Sequence, residues 1–528
     1  MALVLGPGGG ALADDAGVRE FRGPAAPHVA EREAGGAGVR WVVWSAASVA
    51  DLGNPSPLAR VHDLGAVHRL LHGGRREDEA AVLAAAAGEP EPPEPRRPRP
   101  LRDHGPDVLV LDLDLGGAAP GVVGAGERAA TALRVARWQE QELRALPERR
   151  ARPGGIPLAL QTAWSESAAA LLAGDLAVTG LPLDVRAAAA VLGEADAVRE
   201  TAGARLRTWW PGVDLRSPVA VLGALRGLGF DLVNTRAWQL ERLRGAHPAV
   251  EELLRWRKAE RLLSTYGTAW LAAHVGSDGR LRGAWSGADA AAGRMTAEAG
   301  LHNLPAELRV AVVAEPGHVL VRADLGQVEP RVLAVVSHDP GLIAATRDAD
   351  LYAPVAAALR TDRPTAKVAV LAAMYGQTSG AAGVALRDMH RAYPRAMAVL
   401  TEAETAGREG RDVRTWGGRS IRVSEVAAPN ADAVAARGRF ARNAVIQGAA
   451  AELFKAWAAT VRLALRGRGE IVLCLHDELL LHVPVEHAEA VEELLHASLD
   501  ATAGRWAAGS GVRFVADVGR VQRWSEAK

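Results

Sequence analysis

Ile471-Val472-Leu473-Cys474-Leu475-His476-Asp477-Glu478-Leu479-Leu480-Leu481-His482-Val483 sets three polar residues between two mostly apolar runs. Two strand-like runs with almost no room between them predict a tight hairpin, and the tip of this one is acidic. A solvent-facing turn would more readily use Gly, Asn or Pro, so carboxylates at a rigid tip point to a metal site. The remaining ligands of such a site have to come from elsewhere in the chain.

They are found far upstream. His318-Val319-Leu320-Val321-Arg322-Ala323 reads as a strand ending at Asp324, followed by Gln327, Glu329, Pro330 and Arg331 and then the apolar stretch Val332 to Val336. Proline is tolerated in a first helical turn, which predicts a helix starting near Pro330. Two aspartates on adjacent strands could hold divalent cations between them, and paired hard cations on oxygen ligands commonly catalyse phosphoryl transfer. Between the two segments, Arg363, Lys367, Leu371 and Tyr375 step by four. On a helix they form one stripe, with two cations at the end that Pro364 marks as the start. Free amides, the dipole and the added cations make that terminus a cradle for a triphosphate, and Tyr375 offers a flat surface at the other end. Nucleotidyl transfer is the leading reading.

In this order the three segments resemble motifs A, B and C of family A DNA polymerases, the DNA polymerase I type: a DxSQIELR-like stretch, an RxxxKxxxxxxxYG helix and an HDE turn. Leu262-Leu263-Ser264-Thr265-Tyr266 is similar to the thumb segment, and Gly293-Arg294-Met295-Thr296 with Leu301-His302-Asn303-Leu304-Pro305 to the GRLSS and LQNIP pair. Arg439, Asn443, Gln447 and Gly448 match the RxxxNxxxQG helix. The resemblance runs from Ser165 to Lys528. Lysine usage adds weight, since four lysines stand against 58 arginines and Lys367 is therefore not a compositional default.

The resemblance implies an α/β (α+β) chain with a right-hand polymerase fold of palm, fingers and thumb, behind a smaller RNase H-like, exonuclease-like domain. The domains are expected at residues 1–160 and 161–528, with the thumb within 201–283 and the fingers over 346–418. Asp324 and Asp477 would ligate two Mg2+ ions, with Mn2+ as the alternative. Lys367 and Arg363 would bind the phosphates, and Lys367 would give a proton to the leaving pyrophosphate. Tyr375 would sit beneath the templating position, Glu329 would exclude the 2′ hydroxyl, and Gln327, Leu371 and His476 would complete the nucleotide site. Glu478 would support Asp477. Arg294, Arg439, Asn443 and Gln447 would line the minor groove of the primer-template, and Lys258 would contact phosphates.

Several positions depart from the family pattern. Leu325 and Gly326 stand where Tyr and Ser usually follow the aspartate, Pro330 replaces a leucine, His302 replaces Gln, and Leu371 takes the place of an aromatic ring. Losing that ring should weaken nucleotide binding and alter sugar discrimination.

The first third of the chain carries no convincing nuclease set. All four tyrosines lie at 266 or beyond, so the tyrosine segment of a 3′ to 5′ exonuclease is missing. Asp112-Leu113-Asp114 is the nearest DxE substitute and reads as an acidic loop. Val42-Val43-Trp44-Ser45, where a first exonuclease strand is expected, has no carboxylate, and His62-Asp63 reads as structural. Gly88 to Pro106 is dense in Pro, Glu and Arg and reads as a linker. A degenerate domain without proofreading is expected.

Composition agrees. The formal net charge is zero, so any DNA-binding surface must be local, for instance around Arg255, Arg257, Lys258 and Arg261. A single cysteine excludes an internal disulfide. No apolar run reaches membrane-spanning length and no secretory signal opens the chain, so a cytoplasmic, nucleoid-associated monomer is expected, with primer-template DNA and dNTPs as partners. The function expected is template-directed DNA synthesis in repair or gap filling. The rivals are a catalytically weak DNA-binding scaffold and a bifunctional enzyme with residual 3′ to 5′ exonuclease.

Overall fold

The computed structural model of the chain describes residues 1–6, 8–34, 38–53, 56–94, 124–289, 291–376 and 381–527. Asp112 to Asp114 and most of the expected linker lie outside these residues. Among the described residues no helix is long and apolar enough to cross a membrane.

The chain opens as an antiparallel meander, Ala2–Gly6, Gly9–Asp14 and Gly17–Arg22. Trp41–Val43 then pairs in parallel with Ala2–Gly6, and Val61–Asp63 in parallel with Trp41–Val43. Strand alternation sorts the side chains onto two faces. Ala2, Val4, Ala11, Ala13 and Val42 pack with Ala129, Ala132 and Val135 of the helix Ala125–Ala145. Leu3, Leu12, Trp41 and Val43 pack on the opposite side, where Leu171 of the helix Leu158–Thr179 joins them. The leading strand is thus Ala2–Gly6, which corrects the expectation that Val42 to Ser45 holds that place. Trp41–Val43 follows the three strands of the meander, and the Ala26–Ala34 helix lies in the long connection that its parallel pairing with Ala2–Gly6 requires.

A four-stranded antiparallel sheet organises the second part, in the order Glu470–Leu475, Glu478–Pro484, His318–Leu325, Ala516–Val521. Val321, Ala323, Leu479 and Leu481 pack with Trp457 and Val461 of the helix Ala431–Ala464 and Leu495 of the helix Ala488–Trp506. On the other face Leu320 and Leu480 meet Trp524, Leu301 and Leu304. Arg462 fastens the two parts together: its guanidinium reaches Asp175 at 2.7 Å and the carbonyls of Leu58 and Ser56 at 3.2 Å.

Helices Val185–Trp209 and Pro248–Tyr266 share a separate apolar cluster built on Leu206, Val221, Leu225 and Leu253. The boundary expected at residue 201 falls inside the first of them, because one helix continues through it. Between the strand His318–Leu325 and the short hairpin at Val413, Val328–Ser337 and Pro340–Ala345 are followed by Tyr352–Leu359, Arg363–Tyr375, Ala381–Ala392 and Pro394–Glu409.

Pro394–Glu409 crosses Ala431–Ala464 at a contact made by two glycines. A Cβ added at Gly407 would lie 2.6 Å from Ala441 Cβ and 2.8 Å from the Arg437 carbonyl, and one at Gly438 would lie 3.0 Å from the Glu404 carbonyl. Gly407→Val should therefore force the helices apart and destabilise the fold by about 1–3 kcal/mol. The midpoint of urea unfolding reads this out, and an unchanged midpoint would show that the crossing yields without cost.

Candidate active site

At one end of the four-stranded sheet the register sets Asp324 opposite Glu478 on one side and Asp517 on the other. His476 and Asp477 form a two-residue turn, with His476 in the left-handed region at φ 55°. A non-glycine residue there is uncommon, and the turn is anchored by its backbone: the Leu325 N–H donates to the Asp477 carbonyl at 3.0 Å. Burial, then the nearby Asp477 charge, pushes the Asp324 carboxyl up to about 6, opposed by the Arg322 guanidinium. Burial is also the main cause that raises Asp477, with Glu329 and Glu478 adding to it. Half-buried, mutually repelling carboxylates with oxygen-only donors suit a hard divalent cation, which would remove the repulsion.

Glu478 is buried, and both its oxygens are engaged. Oε1 accepts from the Trp524 indole at 2.7 Å, and Oε2 faces Arg322 Nε at 3.0 Å. Trp524 and Arg322 are residues that the sequence reading assigned no role.

Beside Asp477 lies a cavity of about 170 Å³ lined by side chains from well-separated segments, among them Arg294, Gln327, Glu329, Leu371, Gln447, His476 and Asp477. Glu329 accepts from Arg294 Nη2 at 2.8 Å. The Tyr375 hydroxyl lies close to Glu329 and Gln447, and burial, then the Glu329 charge, raises it above the usual phenol range. Burial holds the Glu329 carboxyl above its usual range despite the Arg294 cation. Gln327 lines the cavity but directs its amide elsewhere: Oε1 accepts from Leu351 N at 2.8 Å, and Nε2 donates to Asp350 at 3.1 Å. Tyr352 also lines the cavity and was not anticipated. No spacing marked it, because its helix is a separate one.

The helix Arg363–Tyr375 begins where Pro364 predicted and ends at Gly376, whose left-handed backbone donates to the Ala372 carbonyl. Lys367 is exposed and Leu371 half-buried. Arg363 is not free at the helix start: its Nε lies 2.5 Å from Asp350 Oδ2, and Asp362 caps Thr365 N at 2.8 Å. Arg442 holds the far end, donating from Nε to the Ala373 carbonyl at 2.6 Å and pairing with Glu404 at 3.0 Å. Its place one turn after Arg439, on the buried face of a long helix, was the available signal.

Arg439 is exposed and passes over Gly376. Asn443 is half-buried, and its Oδ1 has no protein partner among the described residues. Lys258 stands on the exposed side of Pro248–Tyr266 and pairs with Glu307 at 2.6 Å. Arg294 itself is placed by a buried group. Lys455 donates to the carbonyl of the preceding Gly293 at 2.7 Å and is ion-paired with Glu166, which also pairs with Arg419.

Comparison with known proteins bears on this arrangement. Residues 229–526 match the model of DNA polymerase family A. The chain is 32% identical to DNA polymerase I of Chloroflexus aurantiacus over 305 residues, which is 52% of this chain and 32% of that protein. It is 30% identical to the thermostable DNA polymerase I of Thermus filiformis over 324 residues, 56% of this chain and 38% of that one. The matched region is therefore about a third of the length of these relatives. The fold is similar to the POL domain of Pol1 from M. smegmatis, solved in complex with DNA primer-template and dNTP, with a TM-score of 0.68 at 22% identity. That similarity covers 89% of this chain and 82% of the other.

Proposed function

The chain belongs to DNA polymerase family A, and from that premise we propose that it extends a primer 3′ end with dNTPs under the direction of a template. The observation that carries the proposal is the convergence on one cavity of the hairpin tip with Asp477, of Gln327 and Glu329 just after the Asp324 strand, of Leu371 on the Arg363–Tyr375 helix and of Gln447. Asp324 and Asp477 would hold two Mg2+ ions, or Mn2+, which when bound activate the primer hydroxyl and neutralise the triphosphate. Lys367 and Arg363 bind the phosphates, Arg363 exchanging its Asp350 partner for them, and Lys367 protonates the leaving pyrophosphate. Glu329, held by Arg294 and Tyr375, closes the cavity to a 2′ hydroxyl. Leu371 and Gln327 border the nucleotide, and His476 faces the primer terminus. Arg294, Arg439, Asn443 and Gln447 line the minor groove, with Lys258 on the phosphates farther along. Glu478 acts through Arg322 and Trp524 to steady the sheet end.

The N-terminal part serves packing rather than proofreading. Ala2–Gly6 and Trp41–Val43 carry no carboxylate. Asp63 spends its oxygens on capping, accepting from Ala66 N at 2.9 Å and Ala46 N at 2.6 Å. The setting proposed is repair or gap filling at the nucleoid, by a monomer.

The test is incubation of a labelled primer-template with the full chain and Mg2+, with and without dNTPs. Extension is expected, with no shortening when dNTPs are withheld. Binding without extension in Mg2+ or Mn2+ would replace the proposal by the scaffold, and shortening would restore the exonuclease.

A pH dependence follows from Asp324. The ion needs the ionised carboxylate, so extension should rise with pH through the region near 6. Stability runs the other way. The folded group binds its proton more tightly than the unfolded one, so its contribution is present at about pH 4 and is lost as pH rises towards 6. Extension rates and urea midpoints measured from about pH 5 to 8 should diverge accordingly, and a parallel fall in both would refer the acid limb to unfolding.

A further inference from the structure

One cation stands among the carboxylates at the end of the palm sheet. Arg322 lies two residues before Asp324 on the same strand and therefore on the same face. Its Nη2 is 2.6 Å from Asp324 Oδ2, its Nε 3.0 Å from Glu478 Oε2, and its Nη1 3.6 Å from Asp517 Oδ2. On the Ala516–Val521 side the residue paired with it is Gly519, which adds no side chain to push the guanidinium away; on the other side it is Leu480. The Arg322 side chain is 14% exposed, that of Glu478 8%, that of Asp324 31% and that of Asp517 78%, so the contact with Glu478 is the desolvated one, that with Asp324 is partly so, and that with Asp517 is open to solvent. Charge-assisted pairing with two carboxylates holds the guanidinium in place.

We propose that Arg322 is a resident counter-cation of the palm carboxylates, which weakens divalent-ion binding at Asp324 and leaves the ion-free site ordered. The inference rests on the reading of Asp324 and Asp477 as ion ligands. An arriving ion meets a carboxylate already partly neutralised, and at this range repulsion between a divalent ion and a fixed unit charge is large. The negative phosphates of an incoming nucleotide would offset that repulsion, so ion loading and nucleotide binding become coupled.

The experiment is a Mn2+ titration of the full chain without DNA or nucleotide, following the free-ion electron paramagnetic resonance signal at about pH 8, where carboxylates are ionised. Arg322→Gln and Arg322→Met should each bind Mn2+ about tenfold more tightly than the wild type, and Arg322→Lys, which keeps the charge, should stay within about threefold. Circular dichroism identifies the folded variants, and either neutral variant suffices. Equal or weaker binding by a folded neutral variant overturns the proposal and leaves Arg322 as a structural clamp. Asp477→Asn separates the two readings. It should weaken wild-type Mn2+ binding, and if both it and Asp324→Asn leave the titration unchanged, the ligand assignment itself fails. Should neither neutral variant fold, the Mn2+ affinity of Arg322→Lys decides: tighter binding by more than about threefold, with the charge retained, would overturn a charge-based role.

Discussion

Asp477→Asn is expected to lower primer extension by about a thousandfold or more while leaving the chain as stable as before or slightly more stable. The substitution keeps the side chain's size and removes only its charge. The turn does not depend on the carboxylate, because the bond that anchors it, from Leu325 N–H to the Asp477 carbonyl, is main chain. Burial and the neighbouring Glu329 and Glu478 disfavour the Asp477 charge in the ion-free fold, so a neutral amide relieves repulsion. Loss of catalysis joined to unchanged or raised stability is the signature of a group placed for ligation. Single-turnover extension and thermal unfolding on the same preparations measure both. Retained extension would remove Asp477 from the ion site, and a large drop in stability would assign it to the scaffold.

Lys455→Met should have the largest effect on the fold, about 3–5 kcal/mol of destabilisation. Lys455 has no exposed surface, and burial lowers its ammonium to about 8, with Glu166 working in the opposite direction. Removing it leaves the fully buried Glu166 with Arg419 alone and the Gly293 carbonyl without its donor. The single variant leaves the Glu166–Arg419 pair in place, whereas Lys455→Met combined with Glu166→Met strips the buried Arg419 of its carboxylate and should destabilise the fold further. Urea midpoints of the two variants test this. Equal destabilisation by the single and the double variant would mean that packing, not charge, is the source. Because Gly293 precedes Arg294, and Arg294 holds Glu329, the single variant should also loosen the cavity wall and slow extension beyond what unfolding explains.

The segments that build the site were legible because each is a local pattern. Two mostly apolar runs around a short polar break predicted the hairpin, period four with a proline start and a glycine stop predicted Arg363–Tyr375, and both stand in the structure. The reading was poorer where pattern ran out. Val42 to Ser45 was given the place of Ala2–Gly6, since strand order within a sheet depends on pairing and not on sequence position. Arg363 was read as open to phosphate, yet Asp350 holds it, and Tyr352, Arg442 and Trp524 drew no notice at all.

By itself the sequence determined the secondary structure around the site and the order of its motifs. These follow from backbone hydrogen bonding, side-chain periodicity and residue identity, which act within a few positions. Only the tertiary structure decided how the charges are paired: Arg322 among Asp324, Glu478 and Asp517, Arg294 on Glu329, and Lys455 beneath Gly293. The strength and sign of those interactions depend on distance and desolvation, and folding sets both by bringing together groups that lie far apart along the chain.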